Sequence, residues 1–398
     1  MTFAQQQARL AEARTNLAPQ TRRVSEIILG PVGSQLYKRR LLVVGDGTLQ
    51  YIPFQALVAP AIPGLRASEE GHPLIEDHEI IYEPSASVLL ELQVETAQRK
   101  PAPKTVAVFA DPVYDREDPR VSCTPQTLDD TFAGKCNRLA LERTLRDVNL
   151  GETNNQIPRL LASRDEAEAI IACVRDKMSF TAVGFQANKP MVLDPKLDQY
   201  RILHFATHGV LDSQRPELSG LILSLIDQNG DPQDGFLRLQ EVYNLKLNAD
   251  LVVLSACNTG LGRDVRGEGV VGLTRGFMYA GAASVMSSLW KVDDEATAEL
   301  MGSFYKYALR DGLTPEAALR EAQLQLSRKP RWRDPYYWAS FVIQGEYEGR
   351  IQVAEARHGP LIPGIRLIPG IRWMMLSLAI IVGLYIVVRR VRTGTLRV

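Results

Sequence analysis

Cysteine is scarce in this sequence of 398 residues, with four cysteines and no C-x-x-C pair. A chain of this length with so few cysteines is not a disulfide scaffold, and its cysteine usage indicates a reducing compartment. An excess of charge of either sign is also lacking, because 46 Lys and Arg residues balance 46 Asp and Glu residues. This balance gives no indication of a nucleic-acid partner or of a membrane bound mainly through charge.

An apolar N-terminal run is lacking as well, since residues 1–16 are mostly polar. We therefore expect no secretory signal. This favours a cytoplasmic location for the body of the chain.

One long hydrophobic run is present near the C-terminus, at residues 373–388, and it contains no charged residue. As a helix it would span roughly 24 Å, a little less than the ~30 Å hydrocarbon core of a bilayer. Trp373 and the arginines on both sides suit the two membrane interfaces. The run predicts a single transmembrane anchor. A buried or surface-lying helix is the alternative, which the lack of a polar face disfavours.

The segments around this run raise a question of topology. The arginine-rich tail, residues 389–398, favours the cytoplasmic side by the positive-inside rule, where the body of the chain is also expected. The orientation of the tail is therefore left open. Residues 349–372 precede the run and contain a tandem LIPGIR repeat. Pro-Gly pairs disfavour a helix, so we expect an extended linker.

Apolar runs that resemble strands alternate with helical patterns along the body of the chain. This alternation predicts an α/β fold with a mostly parallel sheet flanked by helices. Leu41 begins a strand, followed by a turn at Asp46-Gly47 and a second extended run to Leu57. The other main predicted strands cover residues 105–112, 200–206, 218–226, 249–257, 282–290 and 336–345.

Helix signals lie between these strands. We predict a helix opened by Ser85 or Ser87, and a helix over residues 163–174 capped by Ser163. Further helices are predicted over residues 270–280, ended by Gly281, and over residues 294–309 and 315–326. Residues 115–157 lack both patterns and predict a flexible insertion or linker between an N-terminal half, 1–114, and a second half, 158–348.

The stretch YRILHFATHGV contains two histidines, His204 and His208, four positions apart. On a helix this spacing could bind zinc. The preceding residues predict a strand instead, along which four residues cover roughly 13 Å. The two rings could not then share a metal ion, and we predict neither a metal site nor a cofactor.

A catalytic interpretation needs a nucleophile, and Cys257 in LSACNTG ends another predicted strand. Sites in parallel α/β sheets form beyond the carboxyl ends of the strands. His208 could act as general base or acid and Cys257 as the thiolate nucleophile. The backbone N–H groups of Gly209 and Cys257 could form the oxyanion hole. Inert packing of the cysteine and a structural role for the histidine remain the alternative.

HFATHG and LSACNTG occur in the same chain as three further motifs, VFADPVYD, SRDEAEAI and MSSLWKVDDEAT. This set resembles the CHAT family of caspase-like cysteine peptidases, related to caspases, separases and gingipains. The resemblance implies a caspase-like fold whose N-terminal half, 1–114, lacks its own dyad, while 158–348 is catalytic. It also implies that His208 and Cys257 form the dyad and that His204 is a structural histidine.

The segment SLWKVDDEAT is similar to the part of separases that places an acidic residue in the S1 pocket. By this resemblance Asp294, with Asp293 beside it, would bind a P1 arginine or lysine. The alternative is that one of the two aspartates caps the following helix. CHAT proteins differ in P1 preference, so both interpretations stay open.

These features together predict a membrane-anchored, caspase-like cysteine endopeptidase that cleaves a protein substrate. Tetratricopeptide repeats often precede CHAT domains and are not found in this sequence. We therefore expect a separate activating protein partner, in bacterial regulation or defence, and no nucleic-acid partner. One alternative is a catalytically silent, anchored CHAT scaffold that binds partner proteins. Another is a different cysteine acyl transfer, such as amidase chemistry.

Overall fold

The computed structural model describes residues 19–36, 40–60, 71–122, 157–210, 219–255, 268–347, 349 and 351. The chain divides into two compact units, Met1–Val353 and Ala354–Val398, and all described residues lie in the first unit. The described strands are β1 (Arg40–Val44), β2 (Glu79–Glu83), β3 (Lys104–Ala110), β4 (Ser179–Val183), β5 (Tyr200–Ala206), β6 (His208–Val210), β7 (Gly220–Ile222), β8 (Phe236–Arg238), β9 (Leu251–Leu254), β10 (Ser284–Ser288) and β11 (Phe341–Gly345).

Six longer helices accompany these strands among the described residues: α1 (19–28), α2 (Ala86–Gln98), α3 (Ala162–Ile171), α4 (Glu268–Tyr279), α5 (Asp294–Tyr305) and α6 (Pro315–Ser327). A π-helical turn, Lys306–Arg310, extends α5. Short helical turns are found at Gly30–Gln35, Gly47–Tyr51, Phe54–Ala56, Leu74–Glu76, Asp176–Met178, Gly184–Gln186, Lys189–Val192, Pro195–Gln199, Leu239–Tyr243, Pro330–Trp332 and Pro335–Trp338.

Eight strands form the central sheet, in the order β1-β2-β11-β10-β9-β5-β3-β4. Neighbouring strands are parallel, except for the antiparallel pair β10–β11. The predicted α/β fold with a mostly parallel sheet is therefore confirmed. We call the end of the sheet reached by Ala110, Ala206, Leu254 and Ser288 the site end. The opposite end, reached by Glu83 and Gly345, is the far end.

Apolar side chains cover both faces of this sheet. Along β5, Ile202 and Ala206 face a core shared with α3, α5 and α6. Leu203 and Phe205 face a second core shared with α2 and α4. Because both faces are buried, the strand is a continuous apolar run rather than an alternating one.

Three short antiparallel strands, β6, β7 and β8, form a second sheet. It continues from β5 after the single residue Thr207. Val210 and Ile222 of this sheet pack with Tyr114 and Ile157 in a separate buried cluster.

The first three strands lie in two different parts of the central sheet. β1 and β2 lie beside β11, whereas β3 lies between β5 and β4. The division into halves at residues 114 and 158 stays a prediction. Most of the predicted insertion, residues 123–156, lies outside the described part of the chain.

Several local predictions are wrong in whole or in part. The second extended run before Leu57 consists of short helical turns. Ser163 does not cap α3, which begins one residue earlier. Its hydroxyl instead donates to the Leu160 carbonyl (2.6 Å) and accepts from the Asp111 N–H (3.1 Å). The predicted strand over residues 218–226 is also shorter, since β7 covers only Gly220–Ile222.

Other boundaries agree with the sequence signals. Ser85 caps α2 by accepting from the Val88 N–H at 3.1 Å. Gly281 follows α4 with φ +110°, and a Cβ there would lie 2.3 Å from the Leu247 carbonyl oxygen. Only glycine suits this conformation and this close approach.

The predictions for the C-terminal part of the chain lie outside the described residues. After residue 347, the structure describes only residues 349 and 351. These predictions concern the end of the linker 349–372, the apolar run 373–388 and the tail 389–398. Within the described ranges, no helix is both long enough and apolar enough to cross a bilayer.

Candidate active site

His208 begins β6 at the site end, two residues after the end of β5. Its side chain is buried, and the residue is only 3% exposed. The Nε2 atom lies 2.6 Å from the Pro158 carbonyl oxygen. Because a carbonyl oxygen can only accept, Nε2 carries the hydrogen of this bond. In the neutral ring, Nδ1 then holds the lone pair. It has no hydrogen-bond partner among the described residues.

The surroundings of His208 favour the neutral ring. Burial lowers the pKa of His208 to about 4, against a smaller opposing effect of the bond to Pro158, and the positive charge of Lys291 lowers it further. The Tyr114 ring packs on the imidazole, with the two ring centroids 5.1 Å apart. His208 is therefore uncharged at neutral pH and able to accept a proton at Nδ1.

Cys257 lies outside the described residues, so the predicted dyad and oxyanion hole stay predictions. The strands that lead to its two members are adjacent and parallel, with Phe205 of β5 opposite Leu254 of β9. His208 is the third residue after Phe205, and Cys257 is the third after Leu254. Gly209, the other predicted oxyanion residue, lies in β6 opposite Leu221.

His204 lies on β5 and contacts a different part of the molecule. It is fully buried, its Nδ1 is 3.0 Å from the Tyr305 hydroxyl, and its Nε2 is 2.9 Å from a Glu166 carboxylate oxygen. Both partners belong to helices of one face, α5 and α3. These contacts agree with a structural role. Among the described residues, no three His, Cys, Asp or Glu side chains are grouped as metal ligands.

The two aspartates predicted for S1 both contact helix N-termini. Asp293 caps α5 by accepting from the Ala296 N–H at 3.1 Å. Asp294 accepts from the Ala162 N–H, at the start of α3, at 3.0 Å. Burial raises the pKa of Asp294 to about 6, and the nearby Glu166 adds to the rise. The helix-capping alternative thus accounts for Asp293, whereas the S1 role of Asp294 stays a prediction.

Asp111, which follows β3 at the site end, was not predicted as part of the site. It is fully buried and adopts φ +50°. Its carboxylate forms ion pairs with Arg159 (2.7 Å), Arg120 (2.8 Å) and Arg164 (3.1 Å). The signal in the sequence is an acidic residue directly after a buried strand, in VFADP. The Pro158 carbonyl leaves no such signal, because any residue carries a carbonyl.

One comparison with known proteins identifies the type of domain. Residues 18–346 match the model of the CHAT domain. The chain is 36% identical over 109 residues to tetratricopeptide repeat protein 28 of Mus musculus. The matched region is 27% of this chain and 4% of that protein. It is 35% identical over 148 residues to the Homo sapiens protein of the same name, covering 37% of this chain and 5% of that protein. The chain thus spans only a small part of these curated relatives.

Solved structures that resemble the fold are distant in sequence. The separase–securin complex of Saccharomyces cerevisiae is 12% identical, with a TM-score of 0.42, over 77% of this chain and 15% of that chain. The Arg-specific cysteine proteinase gingipain R of Porphyromonas gingivalis is 9% identical, with a TM-score of 0.40, over 79% of this chain and 66% of that chain.

Proposed function

This chain belongs to the CHAT domain family, a caspase-like fold related to cysteine peptidases, and on that premise we propose that it hydrolyses peptide bonds through His208 and Cys257. The observation that carries the proposal is the orientation of the His208 ring. Its Nε2 is held by the Pro158 carbonyl, and its Nδ1 has no described partner. A general base needs such a fixed ring with one available lone pair.

The proposed chemistry uses this orientation of His208. Nδ1 of His208 takes the proton of the Cys257 thiol, and the thiolate attacks the peptide carbonyl carbon. The N–H groups of Gly209 and Cys257 stabilise the negative oxygen. His208 then gives its proton to the leaving amine as the C–N bond breaks. A water molecule, deprotonated by His208, attacks the thioester and releases the acid, which restores the thiol.

The low pKa of His208 supports activation by a separate protein partner. An ordinary thiol has a pKa of about 8.5, so proton transfer to an imidazole of pKa about 4 is uphill by roughly 6 kcal/mol. A resting pair of neutral thiol and neutral imidazole follows. A partner that loosens the packing of Tyr114 on His208 would rehydrate the ring and lower this barrier.

The main experiment compares new protein N-termini, identified by mass spectrometry, in cells that express wild type or Cys257→Ala together with candidate partners. We expect a set of cleavage products that depends on Cys257. Cys173→Ala is the matched control, because Cys173 is a half-buried free thiol just after the end of α3 and should leave cleavage unchanged. Identical products from wild type and Cys257→Ala would overturn the proposed peptidase.

An anchored scaffold that binds partner proteins without turnover is the second candidate. The neutral, deeply buried His208 favours it, because such a ring is a poor base until its surroundings change. In that case Cys257→Ala and His208→Ala would both keep the biological effect of the protein.

Substrate selection is proposed to depend on Asp294. A peptide library would report P1 preference for wild type, Asp294→Asn and Asp293→Asn. We expect a preference for Arg or Lys that only Asp294→Asn reduces, since Asn at position 293 can still cap α5. A preference unchanged in Asp294→Asn would exclude an S1 role for this residue.

Membrane attachment is proposed to depend on residues 373–388, with the catalytic domain in the cytoplasm. Carbonate extraction of membranes should retain the full chain and release a chain ended after residue 372. Equal extraction of both would exclude the anchor. Protease protection of tags at the two ends would report the side on which the tail lies.

A further inference from the structure

We propose that Asp111 is a positioning residue for His208, acting through Arg159 and the carbonyl group of Pro158. The inference deepens the proposed peptidase function and rests on it for its effect on turnover. Among the described hydrogen bonds of the His208 imidazole, none is to Asp111 or to the Arg159 side chain. Their influence would pass through the single hydrogen bond that holds Nε2.

The carboxylate of Asp111 holds Arg159 through a two-point ion pair. Nε of Arg159 lies 2.7 Å from Oδ1, and Nη2 lies 2.7 Å from Oδ2. A guanidinium group bound at two points to a carboxylate is fixed in orientation as well as in position. Asp111 itself is fully buried, so this pair is shielded from water on the carboxylate side.

Arg159 transmits this restraint to His208 through one peptide unit. The Pro158 carbonyl carbon is bonded directly to the Arg159 nitrogen, and the carbonyl oxygen lies in the same rigid plane. That oxygen accepts the hydrogen bond from His208 Nε2 at 2.6 Å. Fixing the Arg159 side chain therefore limits rotation of the plane that orients the imidazole.

A second contact between the same two segments supports this role. The backbone N–H of Asp111 donates to the Ser163 hydroxyl at 3.1 Å, and that hydroxyl donates to the Leu160 carbonyl at 2.6 Å. The segment from Pro158 to Ser163 is thus attached to Asp111 at two places. The left-handed backbone of Asp111, φ +50°, is one that aspartate tolerates better than most residues.

The chemical consequence is a defined tautomer. While the Pro158 carbonyl is in place, the hydrogen of neutral His208 stays on Nε2, and Nδ1 stays available as the base. If the peptide plane is free to turn, this bond weakens and the hydrogen can occupy either nitrogen. A fraction of the molecules would then present no lone pair at Nδ1.

The test compares two arginines that contact the same carboxylate. Arg159→Gln and Arg164→Gln each remove one ion pair of Asp111, but only Arg159 adjoins Pro158. ¹⁵N NMR of the imidazole nitrogens reports the tautomer, with the His208 signals assigned from a His208→Gln spectrum. We expect a single Nε2–H tautomer in wild type and in Arg164→Gln, and a mixture of both tautomers in Arg159→Gln.

Kinetics on the partner-activated full chain give a second measurement. In Arg159→Gln we expect kcat to fall about 10–100-fold, as for other residues that orient catalytic groups, with KM changed by less than about 2-fold. Asp111→Asn keeps a residue that tolerates the left-handed backbone and should give the same loss. The Asp111→Asn, Arg159→Gln double variant should lose no more than either single variant, because the two residues act as one unit.

Several results would overturn the proposal. These are a single tautomer in Arg159→Gln, equal tautomer mixing in both arginine variants, and losses in kcat that multiply in the double variant. The NMR measurement needs no turnover, so it separates this inference from the proposed peptidase. Tautomer mixing confined to Arg159→Gln, without cleavage in any variant, would support the positioning role and contradict the peptidase.

Discussion

The two ends of the central sheet bury carboxylates in opposite ways. At the site end, Asp111 is fully buried and its carboxylate is matched by three guanidinium groups. At the far end, Glu83 is 3% exposed, and neither of its carboxylate oxygens has a partner among the described residues. Burial, together with the charge of Glu346, raises the pKa of Glu83 to about 8.

Glu316, the second residue of α6, extends this contrast at the far end. It is 5% exposed, also lacks a described partner for either oxygen, and burial raises its pKa to about 8. A buried carboxyl group without a cation stays protonated, whereas one with guanidinium partners can hold its charge and direct their geometry. Asp111 thus orients its arginine partners at the site end, whereas Glu83 and Glu316 make stability depend on pH at the far end.

Asp111→Ala should have the largest effect on this comparison. We expect the free energy of unfolding to fall by about 3–5 kcal/mol, because the variant leaves three arginines without their shared counter-charge. Urea denaturation at pH 7 would measure the loss. Asp111→Asn, which suits the same backbone conformation, should lose less. If the free energy of unfolding of Asp111→Ala fell by less than about 1 kcal/mol, the ion-paired carboxylate at the site end would not stabilise the fold more than the unpaired carboxyl groups at the far end.

Glu316→Gln should act in the opposite direction. The pKa of Glu316 is raised in the folded chain from 4.5 to about 8, so this group makes wild type lose stability as pH rises through that interval. The amide cannot ionise, so the variant should gain about 4 kcal/mol of stability relative to wild type between pH 4 and pH 8, since one pKa unit corresponds to about 1.4 kcal/mol. Parallel urea titrations at pH 4 and pH 8 would check this. A variant that is less stable at pH 8 would show that the glutamate is paired.

His208→Gln tests the pH response of the site end. The pKa of His208 is lowered from 6.5 to about 4, so the unfolded chain takes up a proton in this interval before the folded chain does. Wild type should lose about 1–2 kcal/mol of stability between pH 7 and pH 5 through this group. The variant should lack that part of the decline. Equal slopes in wild type and variant would mean that His208 is not shielded from water.

Lys291→Gln should have the smallest effect. Lys291 is exposed and its positive charge lowers the pKa of His208, so its removal should raise that pKa by a few tenths. NMR titration of the His208 ring would detect the change. The difference should shrink at about 1 M salt, where exposed charges are screened. A shift that is independent of salt would point to a structural change instead.

Particular residues show how far the sequence predicts this molecule. The buried apolar run of β5 predicts its central position in a parallel sheet, since only burial on both faces accounts for it. Ser85 and Gly281 predict helix ends because their side-chain or backbone chemistry acts locally. The prediction that Ser163 caps α3 was wrong, because its hydroxyl donates to the Leu160 carbonyl and accepts from the Asp111 N–H instead of accepting from an N–H of its own helix.

Some residues of the candidate site could be predicted from the sequence, and others could not. His208 was found from a motif, and the structure adds its orientation and burial. Asp111 and Pro158 could not be assigned from the sequence. Pro158 lies 50 positions before His208 and contacts it only in the folded chain, and Asp111, about 100 positions before His208, contacts Arg159 rather than His208 itself. The role of Cys257 as nucleophile stays a prediction, based on its motif and on its position in the sequence after β9.

The place of β11 between β10 and β2 has a consequence for synthesis on the ribosome. β2 ends at Glu83, and its neighbours in the sheet are β1 and β11, of which β11 ends only at Gly345. At about 5–20 residues per second, the first two strands wait on the order of tens of seconds for the strand that joins them to the rest. During that interval they offer an open hydrogen-bonding edge, which a chaperone or the neighbouring nascent chain could occupy.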